Sequence, residues 1–599
     1  MGGGLAGPLP PGGAADPPSR SSAGAEFGST KRDEWGYQAG MDSYFDLGRY
    51  SRPVTTDNPQ AQIWFDRGLN WIYGFNHEEA VACFRKAAAL DPDCAMAHWG
   101  IAFASGPFYN MPWEMFSAPE AEECVAVCHG AVQKARACAH KATPVEQALI
   151  GAASAKFPKP HTVSAEEFRA WDDAYADAMR QVHAANPDDL DVIALFAEAM
   201  MSRTPWQLWN RQTGEPAEGA DTLEAMRVLE DGLRIIEERG LAPHSGMLHM
   251  YIHVVEMSDQ PEKALRAADQ LRGLVPDAGH MEHMPGHVYM LCGQYDGVIE
   301  ASAKAIAADR KYLAYAGALN FYTTARCHDL HLMMYAGMMS GRYKPAIEAA
   351  DEMIATLTPD LLRMKKPYMV VTLEGYFAKK MHVLVRFGRW HDIIATPLPE
   401  DQQLYCVTTA MHRYARGVAH SALGNIAEAG EERRLFREAV ERVPETHLYF
   451  NNYARDILAV GAEMLDGELE YRKRNYEIAY AHLRRAVEMD DNLEYSEPWP
   501  WMHPPRHALG ALLMEQGFMA EAEAVYRADL GFDATVSRSC QHPDNVWSLH
   551  GLAECLKRSG NPAEHAMIAQ RLDLAMARTD VPIRASCLCR TEIEGCGGC

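Results

Sequence analysis

The sequence predicts an all-α protein, a solenoid of antiparallel helix pairs flanked by two irregular tails. Three observations predict it. Helical patterns alternate with short glycine turns along most of the chain. No run of alternating apolar and polar residues marks a strand. Histidines recur at three- and four-residue steps, the spacing of one helical face.

The elements follow in order. Residues 1–40 are rich in Gly, Pro, Ala and Ser and carry almost no large apolar groups, so they are expected to be disordered. They hold no apolar secretory core, and Ala6 stands where a myristoylation signal has Ser or Thr. Residues 41–243 read as N-terminal helical repeats with loops, beginning with a hairpin over Ala61–Asp93. Helical patterns run over Ala121–Ala142, Glu146–Phe157, Ala165–Ala185 and Leu190–Ser202. Residues 204–221 form a long polar loop holding Trp206 and Trp209. The histidine-rich repeats span 244–340, and further repeats span 341–580, interrupted by Pro498, Pro500, Pro504 and Pro505. A tail over 581–599 holds Cys587, Cys589, Cys596 and Cys599 and is expected to be flexible.

Composition narrows the function. A net charge of −24 and a pI near 5.5 argue against nucleic acid and anionic membranes as partners. No stretch approaches eighteen uninterrupted apolar residues, so no membrane span is expected. The sequence fits a cytoplasmic protein, and an organelle transit peptide is also compatible with its first residues. Fourteen cysteines in a chain of 599 residues do not read as a secreted disulfide framework. Cys596-x2-Cys599 has the spacing of a redox or soft-metal pair, so the tail is a candidate transfer arm; the alternative is a dispensable extension.

The first hairpin supplies a register. In IWFDRGLNWIYGFNHEEAVACFRKAAALDP, Gly68, Ala80, Phe84, Ala87 and Pro92 stand at small, aromatic and helix-ending positions. This segment resembles the tetratricopeptide repeat family. Turns at Gly293, Gly341, Gly388, Gly424 and Gly517 resemble it more weakly. Repeats aligned on these turns begin at Ala61, Ser245, Gly279 and Cys327, and Ser245 and Gly279 are one family period of 34 residues apart. The phrases HMYIHVVE, GHMEHMPGH and RCHDLHL also resemble a group of bacterial tetratricopeptide proteins without an assigned function.

In that frame the histidines coincide. His249 and His253 occupy positions 5 and 9, with Glu256 at 12. His280, His283 and His287 occupy 2, 5 and 9, as do His328, His331 and Tyr335. The resemblance implies that these positions line the concave groove, so all three clusters are expected to meet there. His382, His507 and His550 fall at groove positions of later repeats. Pro285 is expected to kink or delay the second of the three helices. Asp329 is a candidate for orienting an imidazole. The insertion with Tyr315, Asn320, Phe321 and Tyr322 is either a substrate wall or a spacer.

Imidazole is the commonest ligand for Zn, Cu, Fe and Ni, and single pairs also serve as satisfied core groups. The shared register favours a transition-metal site built from His249, His253, His280, His283, His287, His328 and His331. Copper or iron is favoured and zinc is allowed. Glu256, as a bridge between two ions, and Tyr335 are candidate catalytic groups. Nearby Met247, Met250, Met281, Met284, Met290, Met333 and Met334 lie off the histidine face and read as core. No His-Glu-x-x-His, P-loop, Gly-x-Ser-x-Gly or dinucleotide fingerprint is present. The leading expectation is therefore a metalloenzyme acting on a small or peptide-like substrate in the groove, by oxidation first and metal-assisted hydrolysis second. The alternatives are a non-enzymatic adaptor for a peptide or protein, and a metal storage or delivery protein. A homodimer is compatible with the sequence.

Overall fold

Helix Pro59–Tyr73 begins where Asn58 accepts hydrogen bonds from the Gln60 and Ala61 amides, with Pro59 at its first position. It ends at Gly74, and the Asn76 side chain then accepts the Glu79 amide to start helix His77–Leu90. The two pack face to face. A Cβ on Gly68 would meet the Phe84 ring at 2.7 Å, and one on Gly100 of the next helix would meet it at 2.5 Å. Small residues thus let three helices close around one fully buried phenylalanine.

This pairing repeats through the computed structural model, which describes residues 44–364 and 370–591. Pairs include Thr323–Met339 with Tyr343–Thr356, Cys406–Ala422 with Ile426–Glu441, Ala454–Arg472 with Tyr476–Asp491, and Val546–Ser559 with Pro562–Met576. Gly293, Gly341, Gly388, Gly424 and Gly517 all adopt φ between 61° and 84°, the left-handed turn that the sequence pattern required of them. Among the described residues the one sheet is a two-stranded hairpin, Leu448–Tyr449 with Asn452–Tyr453. No helix among them is long and apolar enough to cross a membrane. Of the two units into which the chain divides, Asp46–Cys599 holds all these elements, and Met1–Phe45 lies almost wholly outside the described residues.

Three segments position the site. Helix Ser245–Glu256 is capped by His244, whose ring accepts the Met247 amide. The second segment breaks at Met284 into Gly279–His283 and Pro285–Leu291, because Pro285 cannot continue the hydrogen-bond ladder. The third is Thr323–Met339. Before it, the aromatic insertion is anchored at Tyr322, whose buried hydroxyl accepts the His280 amide and donates to Asp309, each at 3.2 Å. The seven methionines near the site are all buried core.

After the last hairpin the chain folds back. Asp580 accepts the Tyr343 and Lys344 amides at 2.6 and 2.9 Å. Ser586 bonds the Tyr526 hydroxyl at 2.5 Å, and Arg590 pairs with Glu554 at 2.8 Å. Cys587 and Cys589 are buried and joined in a disulfide. This part of the tail is therefore packed, not free, because Ser586 and Arg590 give it buried polar anchors. Cys596 and Cys599 lie outside the described residues.

Candidate metal centre

Six of the seven predicted histidines converge in two trios. His283, His287 and His328 form the first, and His249, His253 and His280 the second. All six are at most 6% exposed. In the first trio the Nε2 atoms of His283 and His287 stand 2.6 Å apart, those of His283 and His328 2.8 Å, and those of His287 and His328 3.2 Å. Nitrogens bound to one ion at about 2.0–2.1 Å stand roughly 2.9–3.4 Å apart. The trio needs only small ring movements to hold an ion. The trios are adjacent, with the His253 and His287 rings 5.9 Å apart and the His280 and His283 rings 5.9 Å apart.

On their opposite edges, His249, His253 and His287 are tied to acceptors through Nδ1, whereas His283 Nδ1 and His328 Nδ1 have no hydrogen-bond partner among the described residues. Glu256 bridges the trios, accepting from His253 Nδ1 and from His287 Nδ1 at 2.7 Å each. Its carboxylate therefore orients two rings, one in each trio, and does not point between two ions. Glu497 comes within 3.3 Å of His287 Nδ1. The Tyr73 carbonyl accepts from His249 Nδ1 at 2.6 Å. Asp329, the expected orienting carboxylate, stands 3.1 Å from His283 Nδ1 but makes no hydrogen bond to it, and burial with Asp309 beside it pushes its carboxyl well above the usual range. A proton fixed on Nδ1 leaves a lone pair on Nε2, which is how metal-binding imidazoles are prepared. The Nε2 atoms of His249 and His253, and both ring nitrogens of His280, have no hydrogen-bond partner among the described residues. Buried polar atoms of this kind are costly unless something fills the space between them.

Electrostatics agree with this geometry. Burial, reinforced by neighbouring rings, holds His249, His280, His283 and His328 well below the usual imidazole range. His253 falls to about 3 for the same first reason. These five are neutral at neutral pH, the form that binds metal. His287 is the exception: burial lowers it, but Glu497 and Glu256 outweigh burial and raise it to about 10. Without metal its extra proton lies against His283. Glu497 is itself raised to about 7, by burial and by Glu256.

Two predicted residues lie elsewhere. His331 belongs to neither trio; its Nδ1 is 2.7 Å from the Tyr449 hydroxyl. Tyr335 stacks on Trp499 at 5.2 Å and faces His542 at 6.2 Å. His331 and Tyr335 lie three and seven residues beyond His328, about 4.5 and 10 Å further along the helix, past the trios. Glu497 was missed, since a lone glutamate in a proline-rich break carries no motif. Phe75, Tyr109, Trp206 and Phe450, whose rings touch the histidines, were also missed as site residues.

Residues 61–94 match the tetratricopeptide repeat model. That tetratricopeptide repeat is the first hairpin, and its turn carries Phe75 against the second trio. No curated protein matches the chain. Similar solved structures include the APC/C hetero-tetramer Cut9-Hcn1, 11% identical, with a TM-score of 0.29 over 88% of this chain and 78% of that one. A human IFIT1 dimer with m7Gppp-AAAA is 12% identical, with a TM-score of 0.30 over 88% and 92%. Yeast Tom70 is 12% identical, with a TM-score of 0.25 over 86% and 92%. Likeness at this level carries no inference about activity.

Proposed function

We propose that the protein is a metal-dependent enzyme with a paired centre, one transition-metal ion in each histidine trio. The observation that carries this reading is the meeting of six buried imidazoles, three of them fixed through Nδ1, whose inner nitrogens face one another with no carboxylate between them. Three imidazoles per ion leave coordination positions open, as a catalytic site requires. When bound, a copper or iron pair would supply redox chemistry, taking two electrons and two protons from an organic substrate and passing them to dioxygen to give hydrogen peroxide. His249, His253, His280, His283, His287 and His328 would hold the ions. Glu256 orients His253 and His287, Asp329 stands beside His283, and Glu497 with Glu256 sets the charge of His287. Metal-assisted hydrolysis is the second reaction class, and it uses the same ligands with zinc.

A peptide adaptor is less well supported. The histidines are buried against one another and offer no surface for an acidic tail. Delivery by the tail loses two of its four thiols, since Cys587 and Cys589 are buried and paired. The test is elemental analysis of protein purified without a polyhistidine tag. About two equivalents of one transition metal per chain are expected. Protein that holds no stoichiometric metal, and takes up none when copper, iron and zinc are offered, would end this reading.

A further inference from the structure

Among the described residues, five that are not glycine adopt a left-handed backbone: Phe75, Trp206, Phe450, Arg474 and Asp544. For a bulky side chain this conformation is a true outlier, kept only where the surroundings over-determine it. The three aromatics lie on three separate turns, with φ of 56°, 63° and 49°. All three touch the histidine centre. The Phe75 ring lies 4.4 Å from His249, 5.9 Å from His253 and 5.5 Å from His280. Trp206 meets His253 at 5.6 Å, and Phe450 meets His328 at 5.1 Å. The histidines are buried, whereas these three rings are half-exposed. They therefore stand between the imidazoles and the outside.

Phe75 makes the cost visible. It occupies the turn position, directly before the cap of the second helix, that glycine fills at 293, 341, 388, 424 and 517. Glycine would adopt that φ freely; Arg474 fills the same position before Asn475, and what sets Phe75 apart from it is the three histidine rings it meets. Trp206 meets His253 on one side. It also lines a cleft of about 430 Å³, with Trp209, Asn210, Gln212 and Asn492. Trp209 ties this loop to the centre, its indole N–H donating to the Val254 carbonyl at 2.6 Å, one residue beyond His253.

We propose that Phe75, Trp206 and Phe450 form an aromatic collar that admits a planar aromatic ring to the histidine centre through the Trp206 cleft. Ring faces and edges select another ring by their quadrupoles, over an aliphatic group of equal size. The polar cleft outside, lined also by Arg211, Asp491 and Glu494, has room for whatever carries that ring. The ring arrives either on a small free molecule or as a side chain of a short peptide. The reaction it meets rests on the metal reading above; its binding does not.

The experiment is calorimetric titration of the full chain, metal-free and metal-loaded, with p-cresol, cyclohexanol and the tripeptide Gly-Tyr-Gly. The collar predicts that p-cresol binds about fivefold to tenfold more tightly than cyclohexanol. Trp206→Gly, Phe75→Gly and Phe450→Gly keep the backbone conformation and should each reduce that preference. If a glycine variant does not fold, Trp206→Leu keeps bulk without a π face and carries the same test. Tighter binding of the tripeptide assigns the ring to a peptide, and weaker binding to a free molecule; both uphold the collar. Equal binding of p-cresol and cyclohexanol, or a preference unchanged in every variant, overturns it. Metal content measured on the same samples keeps the outcomes apart, because absent metal ends only the metal reading.

Discussion

Two buried histidine nodes in this molecule are built on opposite plans. At Asp529, one carboxylate sits in the middle. It accepts from His507 Nε2 at 3.0 Å, His542 Nδ1 at 2.9 Å, Asn545 Nδ2 at 2.9 Å and the Ser548 hydroxyl at 2.6 Å. Burial alone would push Asp529 up, but His507 and His542 outweigh it and hold the carboxyl well below its usual range. In the six-histidine centre the carboxylates lie outside, on the Nδ1 edges, and the middle holds only imidazole nitrogens. A histidine aimed at an acceptor is a satisfied part of the core. A group of histidines aimed at one another awaits a cation.

The largest test of this contrast is Asp529→Ala. Four donors would lose their shared acceptor inside the protein, and destabilisation of about 3–5 kcal/mol is expected. Denaturant unfolding measures it. A loss below about 1 kcal/mol would mean that water reaches the node and that the two plans do not differ.

The reciprocal test is His283→Leu, which removes a ligand at similar volume and leaves an apolar side chain. Metal content should fall by about one ion per chain, while metal-free stability changes by less than about 1.5 kcal/mol. Unchanged metal content in this variant would remove the first trio from the site.

Protons give a third measurement. His249, His280, His283 and His328 have lowered values in the fold, so the unfolded chain binds more protons below pH about 6.5. Their contribution to stability is complete above that pH and is lost as acid is added. His287, raised to about 10, has the opposite sign: its contribution is complete below about 6.5 and is lost as pH rises towards 10. Metal binding at pH 7 should therefore expel about one proton per chain. Calorimetry in two buffers of different ionisation enthalpy counts it, and Glu497→Gln should reduce the count. A release of zero in the unaltered protein would place His287 outside the ligand set.

Much of this centre was legible in the sequence because a helical period fixes which face a residue occupies. Turn glycines set the repeat frame, and the frame brought His249, His253, His280, His283, His287 and His328 together. The same frame could not fix depth, so it carried His331 to Tyr449 and Tyr335 to Trp499. It also drew His507 into the groove, although that ring is a partner of Asp529. Glu497, Trp206 and Phe450 come from loops, where no period exists to place a side chain. Phe75 stood inside the strongest repeat, and the signal was a missing glycine that the alignment of turns did not weigh.

The smallest expected effect asks whether the rim of the centre is strained while the rim of the Asp529 node is not. Each has a left-handed residue beside it. Next to the node it is Asp544, with φ 53°, a residue type that tolerates this conformation, and its carboxylate accepts from Arg571 at 2.7 Å. Beside the centre it is Phe75, with φ 56°, a type that does not. Truncating Phe75 to Ala or to Gly removes the same ring contacts, so the two variants differ mainly in backbone cost. Ala keeps a Cβ in the left-handed region and Gly does not, which favours Gly by about 1–2 kcal/mol. That outweighs the opposing entropy that Gly gives the unfolded chain. At Asp544 the corresponding gain on substitution by Gly should be no more than a few tenths of a kcal/mol, offset by the lost contact with Arg571. Paired denaturation midpoints at equal slope measure both differences. If Phe75→Ala proves as stable as Phe75→Gly, the Phe75 turn carries no strain in solution, and its ring is held there by packing alone.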